Sequence, residues 1–111
     1  MNNFVAVFCI VNTGFSEVAM EAAKRLGARG GTIIHGRGTA SKEAEKFFNI
    51  TIQPEKEIII ILVSSEIKDA ILKGLYDAIG VNTQAQGIAF ALPVDDVIGI
   101  GSNREKSSGP I

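Results

Sequence analysis

The stretch IIIILV, residues 58–63, contains no polar residue, and the earlier stretch FVAVFCIV, residues 4–11, has the same character. A strand that is covered on one face alternates between apolar and polar residues, whereas a strand covered on both faces is apolar throughout. The two stretches therefore predict central strands of a sheet. Between them the chain passes through a polar, glycine-containing segment, residues 36–57, which we predict to be a long exposed loop.

Length and composition indicate one ordinary folded domain. The 111 residues are 46% hydrophobic and 21% charged, and the net charge is −1. That balance argues against the basic surface of a nucleic-acid-binding protein. The lone Cys9 is interpreted as a small buried hydrophobe, and one cysteine fits a reducing cytoplasm. The first apolar stretch is too short to span a membrane and lacks a signal-peptide pattern, so we expect a cytoplasmic protein without membrane insertion.

Two amphipathic helices follow from the spacing of apolar residues. The first is expected to begin with Ser16 as N-cap and to stop at Gly27. The second is expected to begin after Ser64 or Ser65 and to end at Gly80. The apolar positions expected on their buried faces are Val18, Ala19, Ala22, Ala23 and Leu26 in the first, and Ile67, Ala70, Ile71, Leu75, Ala78 and Ile79 in the second.

Two further strands complete the element order. A short strand is predicted at residues 32–34, after a pair of glycines. The last strand is predicted at residues 88–92, interrupted or bent at Pro93, with a continuation at residues 96–100. Residues 102–111 are expected to be a flexible tail.

The resulting order, βαββαβ, predicts a ferredoxin-like α+β sandwich, in which both helices cover one face of a four-stranded antiparallel sheet. The opposite face of the apolar central strands is then left without cover. An exposed apolar face of this size exceeds what a monomer usually shows, so we predict a closed cyclic oligomer. The alternative is a monomer whose tail folds over the sheet.

Residues 30–63, GGTIIHGRGTASKEAEKFFNITIQPEKEIIIILV, together with the whole element order, resemble the PII nitrogen-regulator family and its PII-like relatives. The resemblance implies a homotrimer whose sheets face the threefold axis. It also implies that adenine nucleotides bind in clefts between subunits, with 2-oxoglutarate beside them. Residues 36–57 would be the T-loop, which contacts a target enzyme, transporter or regulator, and residues 80–87 would be the B-loop, a phosphate cradle.

The resemblance also suggests individual ligand-binding residues. Thr32 matches a threonine near the adenine, and Gly38 matches a glycine at the base of the T-loop. Lys56 falls where the family has a lysine directed at phosphate or at 2-oxoglutarate, and Gly87 ends the B-loop. The alternative for Lys56 is a solvated charge paired with a neighbouring glutamate, Glu55 or Glu57.

This chain departs from the family at the phosphate site. The B-loop has no basic residue, and two arginines of the last strand fall at about Gly99 and Gly101. Hydrogen bonds to charged groups are worth about 1.5–3 kcal/mol each, so we expect weak ATP binding. ADP, AMP or a small carboxylate such as 2-oxoglutarate fits this phosphate site better than ATP does. The sole tyrosine, Tyr76, lies on the predicted second helix, so uridylylation of a T-loop tyrosine is excluded.

The T-loop contains candidate partner-binding residues. Residues 41–48 can form two helical turns with Ser41 as N-cap. Lys42, Lys46, Phe47 and Phe48 are predicted to contact a partner protein, although the phenylalanines are alternatively anchors of the small helix. Arg37 lies between two glycines and suits carboxylate or phosphate recognition; its alternative is a solvated turn residue.

Other classes of function have less support. No catalytic motif is present in the sequence, so we predict no enzyme activity and no catalytic residue. His35 is the only histidine, and we predict no metal site. The leading hypothesis is a PII-like sensor in nitrogen or carbon metabolism. A trimeric metal-tolerance protein, which needs His35 and Cys9 accessible together, and a small enzyme with an unrecognised acid–base pair are the alternatives.

Overall fold

The computed structural model describes residues 3–39, 45–47 and 54–99. The elements are β1 (Phe4–Asn12), α1 (Ser16–Arg25), β2 (Thr32–Arg37), β3 (Glu55–Ser64), a 3-10 turn (Ser65–Ile67), α2 (Lys68–Ile79) and β4 (Ile88–Val94). The strands form one antiparallel sheet in the order β2-β3-β1-β4. The ferredoxin-like order is therefore confirmed, and the two apolar strands occupy the centre of the sheet.

One face of the sheet carries the hydrophobic core. Alternate residues of a strand point to opposite faces, and every second residue along the middle of β1 and β3 is buried beneath the helices. The core side chains are Val7, Cys9, Val11, Ile59, Ile61 and Val63 from the sheet and Ala19, Ala23, Ile71, Leu75 and Ile79 from the helices. The predicted helical stripes match this core, except that Val18, Leu26 and Ala70 lie at the exposed margin.

The other face of the sheet is apolar and open to solvent. Phe8 in β1 pairs with Ile60 in β3 and with Phe90 in β4, and the rings of Phe8 and Phe90 stack with centroids 5.5 Å apart. Four apolar side chains of the edge strands on this face are between 41% and 51% exposed, namely Ile34, Ile88, Phe90 and Leu92. The uncovered face predicted from the sequence is thus present in the subunit.

The N-terminus of α1 differs from the prediction. Ser16 is the first helical residue rather than the N-cap, and Phe15 at the N-cap position makes no side-chain capping bond. The capping acceptor comes instead from Glu57 in β3, whose Oε1 accepts the amide of Ser16 over 3.2 Å. A carboxylate from the sheet therefore replaces the local serine cap.

The other predicted helix ends agree with the structure. The Ser64 hydroxyl accepts the amide of Glu66 over 3.2 Å and caps the turn that leads into α2. Gly27 follows α1 with a φ of +117°, a conformation that favours glycine.

The two helices pack closely at Gly74, in the middle of α2. A Cβ at this position would collide with Cδ1 of Leu26, which packs across the two helices.

Several element boundaries require correction. β2 and β3 extend into the predicted loop as far as the Arg37–Glu55 pair. β4 runs unbroken through Pro93 to Val94, because an edge strand has one neighbour and tolerates a residue without an N–H. Residues 96–98 form no strand.

Two predicted segments fall largely outside the described residues. Of the predicted helix at 41–48, residues 45–47 are described and are helical, while Lys42 and Phe48 lie outside. The predicted tail, 102–111, also lies outside. Among the helices that the structure describes, none combines the length and apolarity needed to cross a bilayer.

Candidate functional site

Lys56 lies at the start of β3, where the strand leaves the loop. It pairs with Asn12 of β1 and with Gly36 of β2, and it is half-buried. Its Nζ donates to Asn12 Oδ1 over 2.7 Å. The alternative that Lys56 pairs with Glu55 or Glu57 is wrong, because successive strand residues point to opposite faces and place both carboxylates on the other side of the sheet.

Glu57 occupies that other side as a structural carboxylate. It is 8% exposed, and its Oε1 accepts the amides of Gly14 over 3.1 Å and Ser16 over 3.2 Å. His35 Nδ1 lies 3.8 Å from its Oε2. Burial opposes the charged form, but these hydrogen bonds, the Ser16 hydroxyl and His35 together outweigh it, so the pKa of Glu57 is lowered.

Gly38 closes the base of the loop beside Lys56. Its amide donates to Pro54 O over 2.7 Å, which joins the two ends of the loop. A Cβ on Gly38 would lie 3.1 Å from Lys56 Cε, so the glycine leaves room for the lysine stem. The structure therefore brings together two of the residues predicted from the sequence.

Thr32 and Arg37 lie apart from Lys56 within the subunit. Thr32 pairs with Ile60, four residues along β3 from Lys56, or about 13 Å at the usual strand rise. Arg37 is exposed and lies on the opposite face of the sheet from Lys56. Thr32 and Arg37 therefore do not cluster with Lys56 within the subunit.

The connection between α2 and β4, residues 80–87, is a compact turn. The Thr83 hydroxyl donates to Gly80 O over 2.8 Å and accepts the amide of Ala85. Gly87 is buried, its amide donates to Ile79 O over 2.7 Å, and a Cβ at this position would lie 2.5 Å from that carbonyl. Gly87 therefore shapes the junction, and a side chain does not fit there.

Asn12 joins this connection to Lys56 and was missed by the sequence analysis. Its Nδ2 donates to Gln84 O over 3.0 Å and lies 3.5 Å from Gln86 Oε1. Its position gave one signal, since it is the polar residue that directly follows the first apolar stretch.

The chemistry of this cluster suits an anion. An ammonium group has three hydrogen-bond donors, and Asn12 occupies one of those of Lys56. In the described part of the chain, no carboxylate forms a salt bridge with Lys56. Two donors and a full positive charge therefore remain for a phosphate or carboxylate.

A separate cavity of about 270 Å³ lies between α2 and β4. Its lining is mostly apolar and includes Leu72, Tyr76, Ile79, Val81 and Ile88, with Gly80 and Gly87 at its border. No charged side chain lines it, so the cavity does not suit the anionic part of a ligand.

The metal-binding alternative requires His35 and Cys9 to be accessible together, and the described residues do not meet this requirement. Cys9 is fully buried in the core, and burial raises the pKa of its thiol to about 12. His35 is exposed on the edge strand β2, two strands away from the strand that carries Cys9. No group of three metal-ligating side chains is found among residues 3–39, 45–47 and 54–99.

The described part of the predicted loop, residues 45–47, bears on the alternative roles of Phe47. Phe47 is 80% exposed, so its side chain is not buried in the core of the subunit. Lys46 is exposed beside it. These two side chains remain predicted partner contacts.

Solved structures with the same fold include PII and PII-like proteins. PII from Arabidopsis thaliana, bound to citrate, is 22% identical with a TM-score of 0.70, covering 100% of this chain and 97% of that one. A PII-like signaling protein from Thermus thermophilus is 24% identical with a TM-score of 0.64, covering 84% and 87%. A PII-like protein from Thiomonas intermedia, bound to ADP, AMP and bicarbonate, is 20% identical with a TM-score of 0.61, covering 86% and 97%.

Sequence comparison gives a second, independent result. No curated protein matches the chain significantly. The family model described as nitrogen regulatory protein P-II matches residues 6–104, which is most of the sequence. The match includes the whole sheet from Ala6 onward, both helices and the Lys56 cluster, and the chain therefore belongs to the nitrogen regulatory protein P-II family.

Proposed function

We propose that this protein is a PII-type signal-transduction protein that binds a small anionic effector at Lys56 and regulates a partner through its T-loop. The observation that carries the proposal is the Lys56 ammonium, which is oriented by Asn12 at the point where the T-loop joins β3. Gly38 packs against the same lysine at the other end of the loop. An anion bound there contacts both ends of the loop.

The proposed assembly is a homotrimer with ligand clefts between subunits. The open apolar face supports self-association, because Ile34, Phe90 and Leu92 would otherwise remain in water. The predicted ligand-binding residues support clefts between subunits, since Thr32 lies on edge strand β2 while Gly87 precedes the opposite edge strand, β4. A neighbouring subunit can bring such opposite edges together.

The proposed effector is AMP, ADP or a small carboxylate. Structural relatives were solved with ADP, AMP and bicarbonate in one case and with citrate in another. This chain has fewer residues available to bind phosphate. Segment 80–87 has no basic side chain, and Gly99 lies at about the position where the family resemblance implies an arginine. A ligand with one or two negatively charged groups that contact Lys56 suits this site better than a triphosphate does.

The proposed output is a change in the T-loop that a protein target reads. The loop begins and ends at the Gly38–Pro54 hydrogen bond, so a ligand at Lys56 acts on its base. Lys42, Lys46, Phe47 and Phe48 would contact the target, which is an enzyme, transporter or regulator of nitrogen or carbon metabolism in the cytoplasm. The protein acts as a regulator rather than an enzyme.

Calorimetry tests the effector site directly. AMP, ADP, ATP, 2-oxoglutarate and bicarbonate are titrated into the wild type, Lys56→Met and Lys73→Met. Lys73 is the matched control because it lies on the exposed side of α2, paired with Asp77. Methionine at position 56 should weaken binding of the active effector about tenfold or more, and methionine at position 73 should have no effect.

ATP provides a further outcome of the same titration. Because of the missing charged contacts we expect ATP to bind no tighter than tens of micromolar, as an order of magnitude. Submicromolar ATP binding would show that other residues replace the missing arginines and lysine. Binding of every probe with equal affinity to wild type and Lys56→Met would overturn the proposed site.

A further inference from the structure

Asn12 is a buried polar residue at the C-terminal end of β1, between two segments that are distant in sequence. It is 9% exposed. On one side lies Lys56, 44 residues later, and on the other side lie Gln84 and Gln86, 72 and 74 residues later. A buried amide in this position has to find partners for both its oxygen and its nitrogen.

The two ends of the Asn12 side chain have different partners. Oδ1 accepts from the Lys56 ammonium over 2.7 Å, and Nδ2 donates to the carbonyl of Gln84 over 3.0 Å. Rotating the amide by a half-turn would place its NH₂ group against an ammonium and its oxygen against a carbonyl. The two contacts therefore fix each other's geometry.

The turn at residues 84–86 is connected to Lys56 through Asn12 alone among the described hydrogen bonds. The backbone amide of Asn12 donates to Ala85 O over 2.9 Å, which adds a backbone contact to the side-chain contact. Gln86 has a φ of +49°, which is uncommon for a residue with a side chain. Such a conformation persists when the surroundings hold it, and Asn12 supplies part of that constraint.

We propose that Asn12 is a positioning residue that couples the state of the Lys56 ammonium to the order of the turn at 84–86. The proposal rests on the proposed function, because it makes an anion on Lys56 the signal that reaches this turn. An anion that holds the ammonium in place keeps Asn12 Oδ1 occupied, which keeps Nδ2 directed at Gln84 O. The effect is reciprocal, so a well-ordered turn also holds the ammonium ready for the anion.

A double-mutant cycle without any ligand tests the coupling. Hydrogen exchange is measured by NMR at the amides of Ala85, Gln86 and Gly87, which bond to Thr83 or Ile79 and not to Lys56. Lys56→Met should accelerate their exchange about 2- to 12-fold, the range expected for the loss of one hydrogen bond. Lys73→Met should leave these rates unchanged.

The Asn12 variants establish whether the effect passes through this residue. In Asn12→Leu the turn should already exchange faster, and Lys56→Met should add nothing. Asn12→Ala is a second variant for the case that leucine prevents folding, because it removes both side-chain contacts without adding a charge or bulk. It should likewise accelerate exchange at 85–87 and abolish the further effect of Lys56→Met.

The outcomes separate this proposal from the proposed function. The coupling is overturned if Lys56→Met leaves exchange at 85–87 unchanged. It is also overturned if Lys56→Met accelerates that exchange equally in the wild type and in the Asn12 variants. A positive cycle supports the coupling even if AMP, ADP and bicarbonate bind independently of Lys56, and that result would overturn only the proposed effector site. Where AMP does bind at Lys56, it should slow exchange at 85–87 in the wild type and not in Asn12→Leu or Asn12→Ala.

Discussion

Glu57 caps helix α1 from the neighbouring sheet, because its Oε1 lies 3.2 Å from the amide of Ser16, the first residue of the helix. A negative charge at a helix N-terminus is favourable, and this carboxylate is almost fully buried. Glu57 follows Lys56 directly, so two adjacent residues near the start of β3 serve opposite faces of the sheet. Glu57 stabilises the fold, and the Lys56 ammonium is available to a ligand.

The first prediction concerns the pH dependence of stability. The pKa of Glu57 is lowered in the folded state, so the unfolded state binds the proton more readily, and this contribution to stability is complete above the unfolded value of about 4.5. It is lost as the pH falls through the folded pKa. We expect the free energy of unfolding to decrease below about pH 4.5, measured by urea titration at about pH 7 and about pH 3.

Glu57→Gln isolates this contribution. The variant should be about 1–3 kcal/mol less stable at neutral pH, because a neutral amide replaces the charged acceptor of two backbone amides. Its stability should also change less between neutral and acid pH than that of the wild type. Glu21→Gln on the exposed surface of α1 is the control. Identical pH profiles for wild type and Glu57→Gln would refute the role of the buried carboxylate.

The second prediction concerns assembly and uses two adjacent isoleucines of β3. Ile60 lies on the open face, whereas Ile61 is fully buried beneath the helices. Ile60→Glu should therefore give a folded protein of lower mass by light scattering, because it puts a charge into the proposed interface. Ile61→Glu should unfold the subunit, because it leaves an unpaired charge in the core. A wild type that is monomeric in solution would contradict the proposed trimer.

The third prediction concerns the contact between the helices at Gly74. Alanine is favoured over glycine inside a helix by about 1 kcal/mol, but a Cβ here meets Leu26. Gly74→Ala should therefore stabilise the protein less in the wild type than in a Leu26→Ala background. Chemical denaturation of the four proteins measures this difference. Equal effects in both backgrounds would show that Leu26 moves aside without cost.

The sequence was sufficient to predict the fold because the strongest signals were local. The apolar runs around Val7 and Ile61 indicated strands that are buried on both faces of the sheet. The apolar stripes of the two helices accounted for the cover of one of these faces. The boundaries were less accurate where pairing rather than composition decides them: polar residues such as Arg37 and Glu55 belong to strands because they lie opposite each other.

The candidate site was predicted only in part, because its key contacts join residues that are distant in the chain. The resemblance to a known family drew attention to Lys56 and Gly38, which the fold brings together. Asn12 could not be recognised in this way, since its role depends on a lysine 44 residues later and a carbonyl 72 residues later. The serine cap of α1 was mispredicted for the same reason, because a carboxylate from β3 competes for the helix amides.

Hydrogen exchange across residues 36–57, with and without the effector identified by calorimetry, tests the central claim most directly. The account predicts that the effector changes exchange in this segment, because it binds at Lys56 beside the Gly38–Pro54 closure. It also predicts that an Arg37→Ala and Lys56→Ala double variant loses both binding and the change in exchange. Unchanged exchange across 36–57 with a bound effector, together with normal binding by the double variant, would contradict the account and leave the loop a static insertion.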